Sequence, residues 1–391
     1  MASHAEREIS VVGGGLAGLV AAVSCAERGA AVRLLEATSK LGGRARSLEH
    51  DGFITNQGPH ALYAGGPGWQ WLRARHLLPE TVKLPPTSVR MRYGGRTRTP
   101  PLRFLRAGAA LREPAPHDVS LDEWLRRRTS PEVAQAAAGY LTLPTFDGAP
   151  GRHAASYGQE MWSRTTASGA VHYVAGGWGQ LVSLLVDRAE ALGVQVELGH
   201  RAKELPEGDA VIVCTGPRAA AALLADPTLE PDGQSVALWD IALRIVKPHR
   251  RGPAAVFELD EGVYVARYTA RDRSLAPDDH DLLQCCAGLR PGEDASTAHD
   301  RIGHVLDAVI PGSTERVIFD RRYRTLSPGF RDPVGSTMSD RPAIERGGRV
   351  YLAGDYVAAP GILSEVSFSS AAAASAAALG IRDARHFDVS R

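Results

Sequence analysis

The sequence predicts an α/β fold in which a parallel sheet covered by helices alternates along the chain with a mixed sheet and further helices. Three observations support this prediction. The chain starts with a strand, a helix and a second strand between Glu8 and Glu36. It ends with an apolar strand, Arg349 to Ala353, followed by an Ala-rich helical stretch, Glu365 to Leu379. Between them, segments such as 234–246 and 254–268 have the pattern of strands.

The first unit is compact in sequence. Glu8 to Val12 is a predicted buried strand that runs directly into Gly13-Gly14-Gly15-Leu16-Ala17-Gly18. A helical pattern follows from Leu19 to Arg28, and Gly29 ends it. The second strand, Ala31 to Leu35, then leads into an acidic residue. This order is a complete βαβ start.

The spacing of the glycines predicts a Rossmann-like dinucleotide site. Gly13 permits the tight turn, Gly15 lets a pyrophosphate approach the backbone, and Gly18 lets the helix pack closely on the strand. The helix N-terminus favours phosphate through its free N–H groups and dipole. Glu36 can accept hydrogen bonds from both hydroxyls of an adenosine ribose. Its negative charge would repel a 2′-phosphate, which disfavours NADP. The alternative, a Gly-rich turn that binds nothing, leaves Glu36 unexplained.

A second glycine pair follows the acid. The stretch from Ala37 to Ser47 contains Gly42-Gly43-Arg44, where a plain NAD domain would proceed to its next helix. A long flavin dinucleotide would use this second clamp. Val11 to Ser47 resembles the N-terminal signature of the FAD-dependent flavin amine oxidase, protoporphyrinogen oxidase and phytoene desaturase superfamily. The resemblance implies bound FAD and an oxidoreductase.

The C-terminal end resembles the same superfamily. Its strand ends on Gly354-Asp355, and a loop containing Gly361 leads to Ile362-Leu363-Ser364 at the start of the last helix. A carboxylate delivered by the strand can bind a ribityl hydroxyl, and the helix N-terminus can face the O2/N1 edge of the flavin. This anchor contains no cysteine, so the predicted FAD is non-covalent.

The resemblance also implies contacts in between. The backbone near Ala202 would lie beside the adenine, and Gly58-Pro59-His60 would lie near the flavin ring. His60 is the one candidate catalytic side chain, although a hydrogen-bonded loop histidine is the favoured alternative. The predicted cofactor-binding residues are Gly13, Gly15, Leu16, Ala17, Gly18, Glu36, Ala37, Gly42, Gly43, Arg44, Gly58, Pro59, His60, Ala202, Gly354, Asp355, Gly361, Ile362 and Ser364.

The predicted domains are discontinuous. The FAD-binding domain comprises residues 1–80, 155–232 and 335–391, and the substrate-binding domain comprises residues 81–154 and 233–334. The net charge of +1 calls for no nucleic acid. The arginine-rich stretch 90–112 is interpreted as a solvated surface in preference to a membrane or acidic-substrate face. The four cysteines have no metal-binding spacing, which predicts no metal and fits a reducing cytoplasm.

The reaction is constrained only in class. Where many amine oxidases carry a lysine, the strand Ala237 to Val246 offers Asp240 and Arg244. We therefore expect dehydrogenation of a C–N or C–C bond in a small, mainly apolar molecule, with O2 as a candidate acceptor for the electrons of the flavin. A polyene desaturase of the phytoene type, a non-redox flavoprotein isomerase and a protein that keeps FAD for structure alone remain open. The oligomeric state is not predicted.

Overall fold

The computed structural model describes residues 7–98, 100–230, 235–245, 252–326 and 331–381, which form two large sheets with covering helices. The strands are β1 Glu8–Val12, β2 Ala31–Glu36, β3 Ser47–His50, β4 Phe53–Asn56, β5 Leu62–Tyr63, β6 Thr81–Lys83, β7 Val89–Tyr93, β8 Arg96–Arg98, β9 Val171–Val174, β10 Gln195–Leu198, β11 Ala210–Val213, β12 Ser235–Arg244, β13 Ala255–Glu258, β14 Val263–Arg267, β15 His280–Gly288, β16 Val317–Leu326 and β17 Val350–Leu352. The α-helices are α1 Leu16–Ala26, α2 Pro67–Ala74, α3 Leu102–Ala110, α4 Leu121–Arg126, α5 Pro131–Thr145, α6 Ala155–Thr166, α7 Gly179–Ala191, α8 Pro217–Leu224, α9 Ala295–Val309 and α10 Ser364–Ala378.

The first sheet is parallel throughout, with strand order β10-β2-β1-β11-β17. Val12 of β1 lies level with Leu35 of β2 and Val213 of β11, and Val213 lies level with Leu352 of β17. Because these strands are parallel, their carboxyl ends meet at one edge of the sheet. This is the edge at which ligands bind in open α/β sheets.

The second sheet is mixed, with strand order β16-β12-β15-β14-β13-β7-β8. Only the pair β7–β13 is parallel, and the other pairs are antiparallel. One face packs under α9, and the opposite face carries a second apolar cluster. Cys285 and Cys286 are in different clusters, as alternation along a strand requires. The α/β fold with interleaved parallel and mixed sheets is as predicted.

Helices α3 to α6 form a third layer with a common core around Leu121, Trp124, Leu141 and Trp162. Helix α6 belongs to this layer, although it starts at the residue where the predicted nucleotide segment resumes. A small sheet of order β5-β9-β6 connects residues 62–63, 81–83 and 171–174. The domain limits stay a prediction.

Three elements differ from the sequence prediction. Helix α1 begins at Leu16 and not at Leu19, since the third glycine of the motif fits within its first turn. Helix α5 continues through Pro144 in its last turn, although the Pro, Gly and Asp content of residues 144–151 predicts a loop there. Strand β16 was not predicted, because its arginines obscure the alternation. Arg321 pairs with Asp240, and Arg322 stacks 3.9 Å from the ring centroid of Trp239.

Candidate active site

A cavity of about 960 Å³ lies at the carboxyl edge of the parallel sheet and extends to the second sheet and to helices α3 and α5. Its wall includes residues from both ends of the chain. Most of the predicted cofactor-binding residues line it, namely Gly13, Gly15, Leu16, Ala17, Glu36, Gly43, Arg44, Gly58, Pro59, His60, Gly354, Asp355 and Ser364.

The three motif glycines meet different surroundings. A Cβ on Gly13, whose φ is +104°, would lie 2.9 Å from the carbonyl carbon of Cys214. A Cβ on Gly18 would lie only 1.8 Å from the carbonyl oxygen of Gly13. A Cβ on Gly15 would meet nothing within 4 Å, and this residue faces the cavity. Two glycines therefore permit the packing of the turn, and the third leaves space for a ligand.

The second glycine pair packs against the first. The N–H of Gly42 donates to the carbonyl oxygen of Gly14 over 2.7 Å. A Cβ on Gly43, whose φ is +51°, would lie 3.2 Å from the Cα of Gly15. Both loops therefore border the same region of the cavity, at the N-terminus of α1. Gly15 caps that helix without a side-chain bond, and no acidic residue lies in its first turn.

The carboxylate of Glu36 is fixed by backbone donors. Gly14 N–H donates to its Oε2 and Thr38 N–H to its Oε1, each over 2.8 Å. A carboxylate oxygen accepts two hydrogen bonds, so each oxygen retains capacity for a further donor. The side chain is buried and lines the cavity. The carboxylate can therefore accept hydrogen bonds from hydroxyl groups of a ligand.

Arg44 and Asp355 join the two ends of the chain. The guanidinium Nη2 donates to Oδ1 of Asp355 over 2.8 Å. The Arg44 side chain is 44% exposed, and that of Asp355 is 9% exposed. The charge of Asp355 is the main cause that raises the pKa of Arg44. The pair brings the second glycine clamp and the C-terminal anchor to one wall of the cavity.

The loop before α10 has a strained residue at the cavity wall. Leu363 has a φ of +51° and lines the cavity beside Ser364. The N–H of Ile362 donates to Oε2 of Glu365 over 3.0 Å, and Oε1 of Glu365 is paired with Arg164. Burial is the main cause that raises the pKa of Glu365. The carboxylate of Glu365 therefore stabilises the loop through Ile362, on the side that faces away from the cavity.

His60 is half-buried and packs against its own loop. Its Nδ1 lies 2.8 Å from the carbonyl oxygen of Gly58, and its backbone N–H donates to the hydroxyl of Tyr268. Its ring lies 4.8 Å from the ring of Trp178, centroid to centroid. Burial is the main cause that lowers the pKa of His60, and the charge of Arg44 also lowers it. The uncharged form is thereby favoured at neutral pH.

Some predicted residues lie behind the wall. Gly18 and Gly42 pack the two glycine loops, and Gly361 leaves room for Glu365, whose Cβ would be 2.7 Å from an added methyl group. Ala202 packs near Val12 and Leu35 in the core. The predicted cofactor-binding residues that do not line the cavity are Gly18, Ala37, Gly42, Ala202, Gly361 and Ile362.

Other lining residues were not predicted. Thr215 and Gly216 follow β11, and their position after a parallel strand was a signal that could have identified them. The hydroxyl of Thr215 is buried and has no hydrogen-bond partner among the described residues. Ser367 comes from the first turns of α10. The residues contributed by the second sheet have no local sequence pattern that marks them as lining residues.

The far half of the cavity is apolar and rich in tyrosine. The hydroxyls of Tyr173 and Tyr264 are 2.8 Å apart, and that of Tyr140 donates to Thr165 over 3.1 Å. Burial is the main cause that raises the pKa of Tyr140 and of Tyr173 to about 12. Further lining residues are Tyr63, Val89, Met91, Phe104, Leu143, Phe146, Leu238, Phe257 and Tyr323. Among the described lining residues, the acidic ones are Glu36 and Asp355, both in the other half.

The residues present fit a flavin dinucleotide. The open space at Gly15 suits a pyrophosphate, and the free acceptor capacity of Glu36 suits a ribose. The unpaired hydroxyl of Thr215 offers a further polar contact. The described residues contain no group of three or more His, Cys, Asp or Glu side chains suited to a metal ion. Over the same part of the chain, no helix is long and apolar enough to span a bilayer.

Comparisons with known proteins match this architecture. Residues 11–74 match the family model of the NAD(P)-binding Rossmann-like domain. A carotenoid 3,4-desaturase from Haloarcula japonica is 49% identical over 59 residues, which are 15% of this chain and 12% of that protein. The matched segment is thus a small part of this curated relative.

Solved structures match over nearly the whole length. An oxidoreductase from Methanosarcina mazei is 20% identical with a TM-score of 0.76, over 93% of this chain and 98% of that one. Cyclohexylamine oxidase from Brevibacterium oxydans is 14% identical with a TM-score of 0.72, over 96% and 99%. At these identities the likeness demonstrates the fold.

The chain therefore has the α/β fold of these oxidoreductases, with a Rossmann-like dinucleotide-binding segment at residues 11–74. The Rossmann-like start predicted from the glycine motif is therefore confirmed, and the C-terminal anchor stays a prediction.

Proposed function

We propose that the protein binds FAD non-covalently and dehydrogenates a C–C or C–N bond of a small, neutral, mainly apolar group, with O2 reoxidising the flavin. One observation carries this proposal. A half-cavity lined by glycine loops, Glu36 and the Arg44–Asp355 pair is continuous with an apolar, tyrosine-rich half. Such continuity lets a cofactor ring and a substrate meet in one water-poor space.

The chain supplies position and electrostatics. The N-terminus of α1 and Gly15 would hold the pyrophosphate, and Glu36 would hold the adenosine ribose. Asp355 would accept from the ribityl chain while Arg44 fixes its orientation. Bound FAD supplies the hydride acceptor. The aliphatic and aromatic wall of the far half would exclude water from the reacting C–H bond.

The cysteines support non-covalent attachment. All four are buried, and Cys214 is the one that lines the cavity. Burial is the main cause that raises the pKa of the Cys214 thiol far above its ordinary value. A thiol kept protonated by burial is a poor nucleophile toward a flavin ring.

The charge of the cavity favours a neutral reacting group. The carboxylate of Glu36 is engaged by two N–H groups, and that of Asp355 is paired with Arg44. A substrate ammonium in the far half would therefore lose water without gaining a carboxylate partner, which is costly. This supports a C–C bond or an uncharged amine over a cationic polyamine.

A polyene desaturase is the second candidate, because the N-terminal segment resembles a carotenoid 3,4-desaturase. Single-ligand pockets occupy roughly 300–1,000 Å³. Here about 960 Å³ would be shared by the dinucleotide and the substrate. We therefore expect the cavity to accept one end of a long polyene and not the whole molecule.

The test is anaerobic mixing of the FAD-loaded protein with uncharged amines, apolar molecules that carry a saturated C–C bond, and a polyene. Stoichiometric bleaching of the oxidised flavin band by one class supports dehydrogenation and identifies the bond. Turnover that needs reduced flavin and leaves its oxidation state unchanged would indicate the isomerase. Release of all FAD on denaturation supports non-covalent binding, and failure to bind FAD at all would overturn the proposal.

A further inference from the structure

Arg271 places a cation in the wall of the apolar half. It follows the short 3-10 turn Tyr268–Ala270, lines the cavity and is exposed. Its Nε donates to the carbonyl oxygen of Lys83 over 3.2 Å, which orients the guanidinium and leaves its two terminal nitrogens for other partners. In the part of the chain that the structure describes, it has no carboxylate within ion-pair distance.

The adjacent acid is already engaged. Oδ2 of Asp272 accepts the N–H of Gly176 over 2.7 Å. Its Oδ1 accepts the N–H of Ser274 over 3.0 Å and the hydroxyl of Ser274 over 2.6 Å. Asp272 thus stabilises two turns and leaves the guanidinium of its neighbour available to a ligand.

Arg44 lies in the other half and is paired with Asp355. Two further cationic residues line the cavity, Lys83 and Arg324, and strand register directs both side chains elsewhere. Lys83 lies opposite His172 in the β6–β9 pair. Burial is the main cause that lowers the pKa of His172, and the charge of Lys83 lowers it further. The neighbouring residues on β9, Val171 and Tyr173, are the ones that line the cavity. Because side chains alternate along a strand, the side chain of Lys83 lies with His172 on the other face.

Arg324 follows the same rule. It lies opposite Ala237 on β12, which belongs to the cluster under α9. The residues that face the cavity are its neighbour Tyr323 and the opposite residue Leu238. Arg271 is therefore the cation of the apolar half whose side chain is free to serve a ligand there.

We propose that Arg271 binds the carboxylate of a substrate whose body is apolar and lies among the tyrosines of the far half. This proposal rests on the proposed function and specifies its substrate as an apolar carboxylic acid. A guanidinium binds a carboxylate through two parallel N–H bonds. An ammonium group in the same space would find no free carboxylate among the described lining residues. An amine with the same apolar body should therefore bind less well than the carboxylic acid.

The experiment uses the FAD-loaded protein and three probes of equal length: decanoate, decan-1-ol and decylamine. Isothermal titration calorimetry should give about tenfold tighter binding of decanoate than of decan-1-ol, since an exposed ion pair gives only a modest gain. Decylamine should bind weakest. R271M should bring decanoate to within about twofold of decan-1-ol, and R271K should be intermediate because it keeps charge and loses the fork.

K83M and R324M are the matched controls, since each removes a cation from the cavity wall whose side chain faces away. Both should retain the tenfold preference for decanoate. Equal binding of decanoate and decan-1-ol by the unmodified protein would overturn the assignment. So would a loss of the decanoate preference in K83M or R324M as large as the loss in R271M. Failure of the protein to take up FAD would instead overturn the proposed function, and decanoate titration of the FAD-free protein would still test Arg271.

Discussion

The two halves of the cavity are built by different means. The half lined by the glycine loops, Glu36 and the Arg44–Asp355 pair is called the nucleotide half, and the apolar, tyrosine-rich half is called the substrate half. The nucleotide half depends on backbone geometry, because a Cβ at Gly13 or Gly18 would overlap main-chain atoms and Gly15 leaves open space. The substrate half depends on side chains that converge from β7, β9, β12 to β14 and β16 and from helices α3 and α5. A half made of backbone tolerates almost no substitution at its glycines, whereas a half made of side chains can change its ligand by single replacements.

The strongest test of this contrast is Gly18→Ala. Its Cβ would lie 1.8 Å from the carbonyl oxygen of Gly13, and a backbone atom cannot rotate away. We expect the free energy of unfolding to fall by at least about 3 kcal/mol, together with loss of FAD binding. Urea unfolding followed by circular dichroism measures the first effect, and ultrafiltration of bound flavin measures the second. Gly15→Ala, at a residue with a φ of −74° whose Cβ would meet nothing within 4 Å, is the matched control for the unfolding measurement.

A second test concerns an ionic junction next to the lining residue Phe146, in which the buried carboxylate of Asp147 pairs with Arg152, His153 and Arg331. Burial raises the pKa of Asp147, but hydrogen bonds from His153 and Ala149 and the charges of Arg331 and His153 prevail and lower it to about 2. A carboxyl group with a lowered pKa stabilises the fold above its unfolded value of about 4, and this contribution disappears as the pH falls from about 4 to 2. We expect Asp147→Asn to cost about 3 kcal/mol at pH 7 and far less near pH 2.

Urea titrations of the wild type and Asp147→Asn between pH 2 and 7 measure that difference. Asp122→Asn is the matched control, because Asp122 is 45% exposed and pairs with Arg126 one helical turn away. Its cost should stay under about 0.5 kcal/mol at every pH. A pH-independent cost for Asp147→Asn would mean that lost packing, and not charge, sets the stability of the junction.

The same contrast explains what the sequence could predict. Gly13, Gly15, Glu36 and Asp355 are recognisable because short spacing after predicted strands fixes where backbone atoms meet a ligand. Arg271 has no such signal, since its place depends on how distant strands pair. Strand β16 was missed for a related reason, because the partners that accept its arginines are remote in sequence.

Gly15→Ala separates ligand binding from folding within the nucleotide half. The residue has a φ of −74° and a ψ of −172°, which alanine adopts without strain, and its Cβ would touch no protein atom. The methyl group would instead occupy the space proposed for the pyrophosphate. We expect the Kd for FAD to rise about 100-fold, or about 2.8 kcal/mol, with the unfolding free energy of the FAD-free protein unchanged. Fluorescence titration with FAD and urea unfolding measure the two quantities, and a parallel loss of both would remove the distinction from Gly18.

His60 should give the smallest effect, because its contacts are those of a loop residue. Its Nδ1 lies 2.8 Å from the carbonyl oxygen of Gly58, so an asparagine amide can replace the donated hydrogen bond. We expect His60→Asn to keep the rate of flavin reduction within about threefold, while a general base would contribute roughly 100-fold or more. The lowered pKa of His60 also gives a pH signature, since any dependence on its ionisation lies on the acid side of pH 6.5.

Stopped-flow reduction of the flavin between pH 5 and 8 therefore distinguishes the two roles. A loop residue leaves the pH profile of His60→Asn parallel to that of the wild type, and His60→Ala lowers the affinity for FAD by loosening the turn at Gly58. A catalytic role would appear as a 100-fold loss in both variants with the acid limb of the profile removed. In that case the nucleotide half would also supply a reacting side chain, and the separation of backbone from side-chain function along the cavity would no longer hold.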